Sequence, residues 1–324
     1  MKQTVIFGAS KLGRTAYFFL KESYEIVGFL DNDQKKIGGE IDSLPILSPE
    51  ILNEKDIHVV IASMYFDEIQ EQLERMNISS YEIFNCGLSD LHKNKTNLRK
   101  ISAAALVNEL EQVTINDLSF IGGGSTVLDY FLLKAVAQKI HAKTYLEIGT
   151  WTGESISAVA EVVENCISIS LEDESLDEIF KNYCEKSNFS RYFSYKKGNI
   201  EHFIADSKTF DFSNVKKPDL VFIDGDHSFE GVYTDTKNIF NLVGYEDTVV
   251  IWHDYRTLRN EIIQPTHRAV IKGVPADYRD NLFLVHNSIC GIYIPKKLQN
   301  LFYFDEDKDV LYSYEVTLKA KENK

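Results

Sequence analysis

Short apolar runs bounded by turn residues recur along the chain, and stretches of helical periodicity separate most of them. Residues 4–7 form a β-branched and aromatic run that ends in Gly8-Ala9-Ser10-Lys11-Leu12-Gly13, and an amphipathic stretch to about residue 22 follows. That pattern predicts a strand, a tight turn and a helix. A second apolar run, 24–30, ends at Asp31-Asn32-Asp33; a third, 58–62, leads into a helical pattern through residue 76, and 81–85 closes the set. Strands alternating with helices in this way build a parallel β-α-β array.

Between residues 90 and 100 the chain turns polar and basic, which marks a boundary. Helix-compatible segments at 103–113 and 129–140 flank Gly122-Gly123-Gly124, a glycine cluster suited either to a lid hinge or to a plain loop. A second α/β pattern then opens, with strands expected at 144–148, 166–171, 192–196, 220–223, 248–252, 282–285 and 290–294. The turn His286-Asn287-Ser288 joins the last two, so this sheet is expected to be seven-stranded and to end in an antiparallel hairpin. The fold class is therefore α/β with two doubly wound domains. The expected divisions are 1–90, a helical linker and lid segment at 91–140, a second domain at 141–300, and a solvated tail at 301–324.

Composition narrows the function classes. The 324 residues are 44% hydrophobic and 26% charged, an ordinary globular balance for two domains. With 49 acidic against 35 basic side chains the formal charge is −14, which disfavours a polyanion groove, so no nucleic-acid partner is expected. Cys86, Cys166, Cys184 and Cys290 lie far apart, with no spacing that indicates a disulfide framework or a zinc site. No apolar run is long enough to cross a bilayer, and a cytoplasmic protein that does not engage membranes is expected, with homo-oligomer formation left open.

The chemistry concentrates in the second domain. Residues 145–155, Tyr-Leu-Glu-Ile-Gly-Thr-Trp-Thr-Gly-Glu-Ser, run from an apolar strand through a glycine turn into a helix. Alone, such a turn says only that backbone turns tightly or approaches something closely. The stretch resembles the first motif of class I S-adenosylmethionine-dependent methyltransferases, an acidic residue followed by spaced glycines, matched here by Glu147, Gly149 and Gly153. That resemblance implies a Rossmann-like fold and a cofactor whose methionine part is held by Glu147 and the turn Gly149-Thr150 to Gly153. It implies a ribose contact from Glu172, with Asp173 as the rival, and an adenine contact from Asn199, for which an ordinary turn residue is the alternative.

A further signal is Pro218-Asp219-Leu220-Val221-Phe222-Ile223-Asp224-Gly225-Asp226-His227-Ser228, an apolar strand that delivers carboxylates and an imidazole at its end. The run Val249-Val250-Ile251-Trp252-His253-Asp254 repeats the device on another strand. Carboxylates crowded in one cleft repel unless a cation or a proton separates them. A divalent metal, Mg²⁺ or Mn²⁺, on Asp224, His253 and Asp254 is one answer; caps and loop hydrogen bonds without metal are the other. The pattern resembles metal-dependent O-methyltransferases of sugars and catechol-type diols. By that resemblance Asp224 belongs to the cofactor and metal site, and His227, three positions on, is the general base, oriented by Asp226 or Asp235. The chain departs from the family in having His253-Asp254 where a carboxylate pair or Asp-Asn is usual. A hydroxyl is a poor nucleophile, so a base that removes its proton as oxygen attacks the sulfonium methyl suits this chemistry.

In the first domain Gly8 and Gly13 match the outer glycines of a dinucleotide fingerprint, while Ser10 replaces the middle one and Asp31 ends the second strand. Residues 3–86 resemble the small Rossmann-like domain attached to several sugar-modifying enzymes, which implies nucleotide or nucleotide-sugar binding by Gly8, Ser10, Gly13 and Asp31. Together these resemblances imply an O-methyltransferase of a carbohydrate or nucleotide-linked sugar in surface glycan or natural-product biosynthesis. The alternatives are N-methylation of an amino sugar or amino acid, a first-domain oxidoreductase or dehydratase, and a non-catalytic scaffold that holds cofactor.

Overall fold

The computed structural model describes residues 3–21, 23–53, 57–63, 65–78, 81–84, 98–120, 125–172, 190–257, 262–305 and 313–320. Its chain divides into two compact units, one of residues 1–96 with 226–236 and 261–273, the other of 97–225, 237–260 and 274–324. Asp173, Cys86, Cys184 and the glycines 122–124 of the expected lid segment lie outside the described residues.

In the first unit, β1 (Gln3–Phe7) leads into helix α1 (Lys11–Leu20), and β2 (Glu25–Leu30), β3 (Glu40–Ile41), β4 (Leu44–Leu47) and β5 (His58–Ile61) follow. Helix α2 (Phe66–Arg75) and β6 (Tyr81–Ile83) complete it, giving a six-stranded sheet of order β3-β4-β2-β1-β5-β6. All pairings but β3 with β4 are parallel, as the sequence pattern led us to expect. Alternate residues of β1 face opposite sides, so Val5 and Phe7 pack with Leu73 while Ile6 packs with Ala16.

The second unit begins with β7 (Lys100–Ile101), α3 (Ala103–Leu110) and α4 (Val127–Lys139). There follow β8 (Thr144–Ile148), α5 (Glu154–Ala160), β9 (Asn165–Ser170), β10 (Ile200–Ile204) and β11 (Leu220–Ile223). Strands β12 (Val249–Trp252), β13 (Leu282–Val285), β14 (Gly291–Tyr293) and β15 (Phe304–Asp305) complete its sheet, while helix α6 (Phe229–Val243) is counted with the first unit up to residue 236 and helix α7 (Gln264–Gly273) is counted with it entirely. The nine-stranded sheet runs β10-β9-β8-β11-β12-β14-β13-β7-β15. Strands β8 to β12 pair in parallel, and β14 pairs antiparallel with both β12 and β13, so the expected final hairpin is present.

Three expectations are corrected. Residues 192–196 are turn, and the strand lies at Ile200–Ile204 instead. The β-rich composition of Tyr-Phe-Ser-Tyr-Lys misleads because Arg191 takes a left-handed φ of 55° and the amides of Ser194 and Tyr195 bond back to its carbonyl. The expected linker contributes β7 to the sheet, parallel to β13, and the expected tail supplies β15 at its edge. Phe302 there is buried in the core with Ile101 and Phe283.

Candidate functional site

Open α/β sheets bind ligands beyond the carboxyl ends of their strands. At the end of β8 the chain turns through Gly149 (φ 95°) and Gly153 (φ 81°) into α5. A Cβ on Gly149 would stand 2.0 Å from the Asp224 carbonyl oxygen, so only glycine lets the ends of β8 and β11 approach this closely. A Cβ on Gly153 would meet Ser194 Oγ at 2.3 Å, which gives the 190–196 turn its place as a brace against the glycine turn.

Glu147 is wholly buried beneath that turn. Tyr145 Oη donates to its carboxylate at 2.7 Å, Thr150 Oγ1 at 2.7 Å and Ser155 Oγ at 2.9 Å, while Ser168 Oγ donates to Thr150 at 2.8 Å. Burial pushes its carboxyl up to about 7, against the pull of these hydroxyls and with the charge of Asp224 adding to the rise. Glu147, expected to reach the methionine part of a cofactor, is held here by hydroxyls of the strand, the turn and α5, and the Thr150 side chain faces inward with it.

Glu172 is exposed just past the end of β9, where a ribose contact was expected. Asn199 is not at a strand's carboxyl end. It precedes β10, and its amide donates to the carbonyls of Ala160 (2.8 Å) and Val163 (2.9 Å), closing the end of α5. Asn199 was expected to follow the third strand and meet adenine there; the strand lies at Ile200–Ile204, so Asn199 precedes it. The carboxyl end of β10 carries Ala205 and Asp206, and Asp206 is exposed.

The ends of β11 and β12 bring Asp224, His253 and Asp254 together. His253 is 8% exposed; its Nδ1 lies 3.1 Å from Asp224 Oδ1 and 3.5 Å from Asp254 Oδ1, and its Nε2 lies 3.8 Å from Asp129 Oδ2. Burial alone would lower the imidazole's pKa, but the carboxylates of Asp224 and Asp129 outweigh it and hold the ring well above its ordinary value. Asp254 adopts φ 48°, a left-handed conformation uncommon for a residue with a side chain. The Asp224 side chain remains 19% exposed and opens toward solvent.

Sequence reasoning missed Asp129. It sits in the first turn of α4, wholly buried, in a capping box with Thr126, whose amide (2.9 Å) and hydroxyl (2.5 Å) donate to Oδ2. Only the Thr-x-x-Asp spacing was visible in the sequence, and it signals a cap rather than a site.

Among the described residues, no group of three or more His, Cys, Asp or Glu is arranged to hold a metal ion. The expected ligands Asp224, His253 and Asp254 lie within ion-pair distance of one another, with His253 Nδ1 facing both carboxylates.

Asp226 and His227 are exposed on the turn that leads into α6. Asp226 Oδ1 accepts the Ser228 amide at 2.9 Å, an Asx turn that starts the helix, and Asp235 is buried within α6. A cavity of about 270 Å³ lies at the starts of α4 and α5, lined by Leu118, Phe120, Ser125, Val127, Tyr130 and Glu154 among others.

In the first unit, Ser10 Oγ caps α1 by accepting the Gly13 amide at 3.5 Å. Cβ atoms on Gly8 and Gly13 would strike the carbonyl oxygens of Ala62 (2.3 Å) and Gly8 (1.8 Å), so both glycines serve the packing of the turn. Asp31 accepts the Ala9 amide at 3.0 Å and pairs with Lys36 at 2.9 Å.

The sheet order and the glycine turn at the end of β8 define an open α/β sheet, a class of fold that binds ligands beyond the carboxyl ends of its strands. Residues 146–255 match the family described as methyltransferase domain, and residues 1–84 match a family described as C2185-like, N-terminal. Over that stretch, 146–255, the chain is similar to a methyltransferase domain. No curated protein matches it. Similar solved structures include an O-methyltransferase from Bacillus cereus in complex with SAH, at 16% identity over 64% of this chain and 83% of that one, TM-score 0.33. Another is the O-methyltransferase TomG from Streptomyces achromogenes, involved in tomaymycin synthesis and in complex with SAM, at 13% identity over 64% and 96%, TM-score 0.36. The N-methyltransferase NodS from Bradyrhizobium japonicum with S-adenosyl-L-homocysteine shows 11% identity over 58% and 96%, TM-score 0.35. No helix among the described residues is long and apolar enough to cross a membrane.

Proposed function

We propose that this chain transfers the methyl group of S-adenosylmethionine to a hydroxyl of a small acceptor, a sugar or nucleotide-linked sugar. The observation that carries the reading is the approach of the Gly149 turn to the end of β11, where Asp224 stands open to solvent with His253 behind it. In this reading the turn, Glu172 and Asp206 hold the cofactor, and Asp224 receives a hydrogen bond from a second hydroxyl of the acceptor, next to the one that reacts. His227 takes the proton as the oxygen forms its bond to the methyl carbon. The carbon–sulfur bond breaks, its electron pair stays on sulfur, and neutral S-adenosylhomocysteine leaves. The sugar assignment is supported by the sequence resemblance of residues 3–86 and by the His three positions after Asp224. No step is routed through a metal, because the expected ligands pair with one another.

The test combines calorimetric titration of S-adenosylhomocysteine with methyl-transfer assays on nucleotide-sugars, each with and without chelator. Micromolar cofactor binding and chelator-resistant transfer are expected, and His227→Ala should lose at least about a hundredfold in rate with cofactor affinity kept within a few-fold. An unchanged His227→Ala rate removes it as the base; loss of turnover in chelator restores a metal to the mechanism; transfer to an amine alone moves the acceptor to nitrogen. A nucleotide on the first unit at Gly8, Ser10, Gly13 and Asp31 is a separate proposal, and titration with a nucleoside diphosphate tests it.

A further inference from the structure

The buried carboxylate of Asp129 is larger in consequence than a helix cap requires. A capping box works at the surface, where water solvates the charge. Here the residue is 0% exposed, and burying a carboxylate costs several kcal/mol, as an order of magnitude, unless it is paired and hydrogen-bonded. Its Oδ1 accepts Ser288 Oγ at 2.6 Å and lies 3.6 Å from Cys290 Sγ, both from the segment between β13 and β14. That segment is itself held by buried Arg256, whose Nε donates to the Ser288 carbonyl at 2.7 Å and whose Nη2 donates to the Val285 carbonyl. Oδ2 accepts from Thr126 and faces His253 Nε2 at 3.8 Å. Partners from α4, from the end of β12 and from the final hairpin thus converge on one carboxylate.

We propose that Asp129 is a positioning residue of the methyl-transfer site, whose carboxylate, 3.8 Å from Nε2, keeps the ring of His253 turned so that Nδ1 meets Asp224 at the cleft. The inference rests on the reading of Asp224 as part of that site. Asp129 touches neither reactant. It acts through His253, and the orientation of the Asp224 carboxylate follows from the ring it faces.

The test uses the full chain labelled with ¹⁵N in histidine, with the His253 ring signals assigned by their absence in His253→Gln. In the unsubstituted protein a slowly exchanging His253 ring N–H proton is expected. Asp129→Asn should abolish it while cofactor affinity, read by S-adenosylhomocysteine titration, stays within a few-fold. Ser288→Ala removes one hydrogen bond to the same carboxylate and should lower thermal stability while the ring proton stays. Persistence of the ring proton in Asp129→Asn overturns the proposal, and so does its loss in Ser288→Ala with Asp129 intact. Should Asp129→Asn fail to fold, Asp224→Asn decides: a retained ring proton supports Asp129 as the holding group, and a lost one overturns it. Absence of S-adenosylhomocysteine binding in the unsubstituted protein would sink the methyl-transfer reading alone, leaving the ring signal to judge the contact.

Discussion

At the scale of single residues, Glu147 shows how a motif position changes meaning once its surroundings are known. The sequence places an acidic residue two positions before a glycine turn, and both a ligand contact and a brace satisfy that spacing. Burial and three hydroxyl donors settle its environment in favour of the brace. The same burial has a measurable consequence. In the fold the carboxyl keeps its proton to about pH 7, whereas in the unfolded chain it ionises near 4.5. Between those values the native state binds the extra proton, so its contribution to stability is present at low pH and is lost as pH rises through the window. Replacing it by the neutral Glu147→Gln should remove that loss, on the order of 3 kcal/mol between pH 4.5 and about 7. Denaturant midpoints of the two proteins across this range check it; parallel pH profiles would show that the carboxylate is ionised in the fold.

Asn199 makes the corresponding case at the scale of elements. Its two amide hydrogen bonds close the carboxyl end of α5, at the opposite end of the sheet from the cofactor turn. Asn199→Ala should cost about 1–3 kcal/mol in stability, since the carbonyls of Ala160 and Val163 lose their donor, and leave S-adenosylhomocysteine affinity unchanged. A large loss of affinity at unchanged stability would return Asn199 to the cofactor. Most strands, the final hairpin and the two polar strand ends were legible because buried parallel strands read as unbroken apolar runs. The edge strand β10 was not, since Ile-Glu-His-Phe-Ile is half exposed and its polar residues hide it among loops. Asp129 was illegible for another reason. Its partners Ser288 and Cys290 lie 159 and 161 residues away, and nothing in the local pattern of α4 records a contact formed only by the folded sheet.

At the scale of the whole molecule, two glycine turns at two sheet ends compete for the role of ligand site, and the packing around them differs. In the first unit Asp31 accepts the Ala9 amide of the turn, which places a carboxylate where a phosphate would need donors. In the second unit Glu147 lies buried beneath the turn, and Glu172, Asp206 and Asp224 follow the carboxyl ends of β9, β10 and β11. The second turn should therefore be the one that answers to cofactor. Native-state amide exchange with S-adenosylhomocysteine at about 100 times its Kd should show up to about 2.7 kcal/mol of added protection, confined to the second unit and centred on residues 144–157 and 220–225. The strands of the first sheet, residues 3–7 and 58–61, should exchange as before. Protection appearing in the first sheet instead would move the cofactor to Gly8 and Gly13, and with it the chemistry from methyl transfer to the first unit.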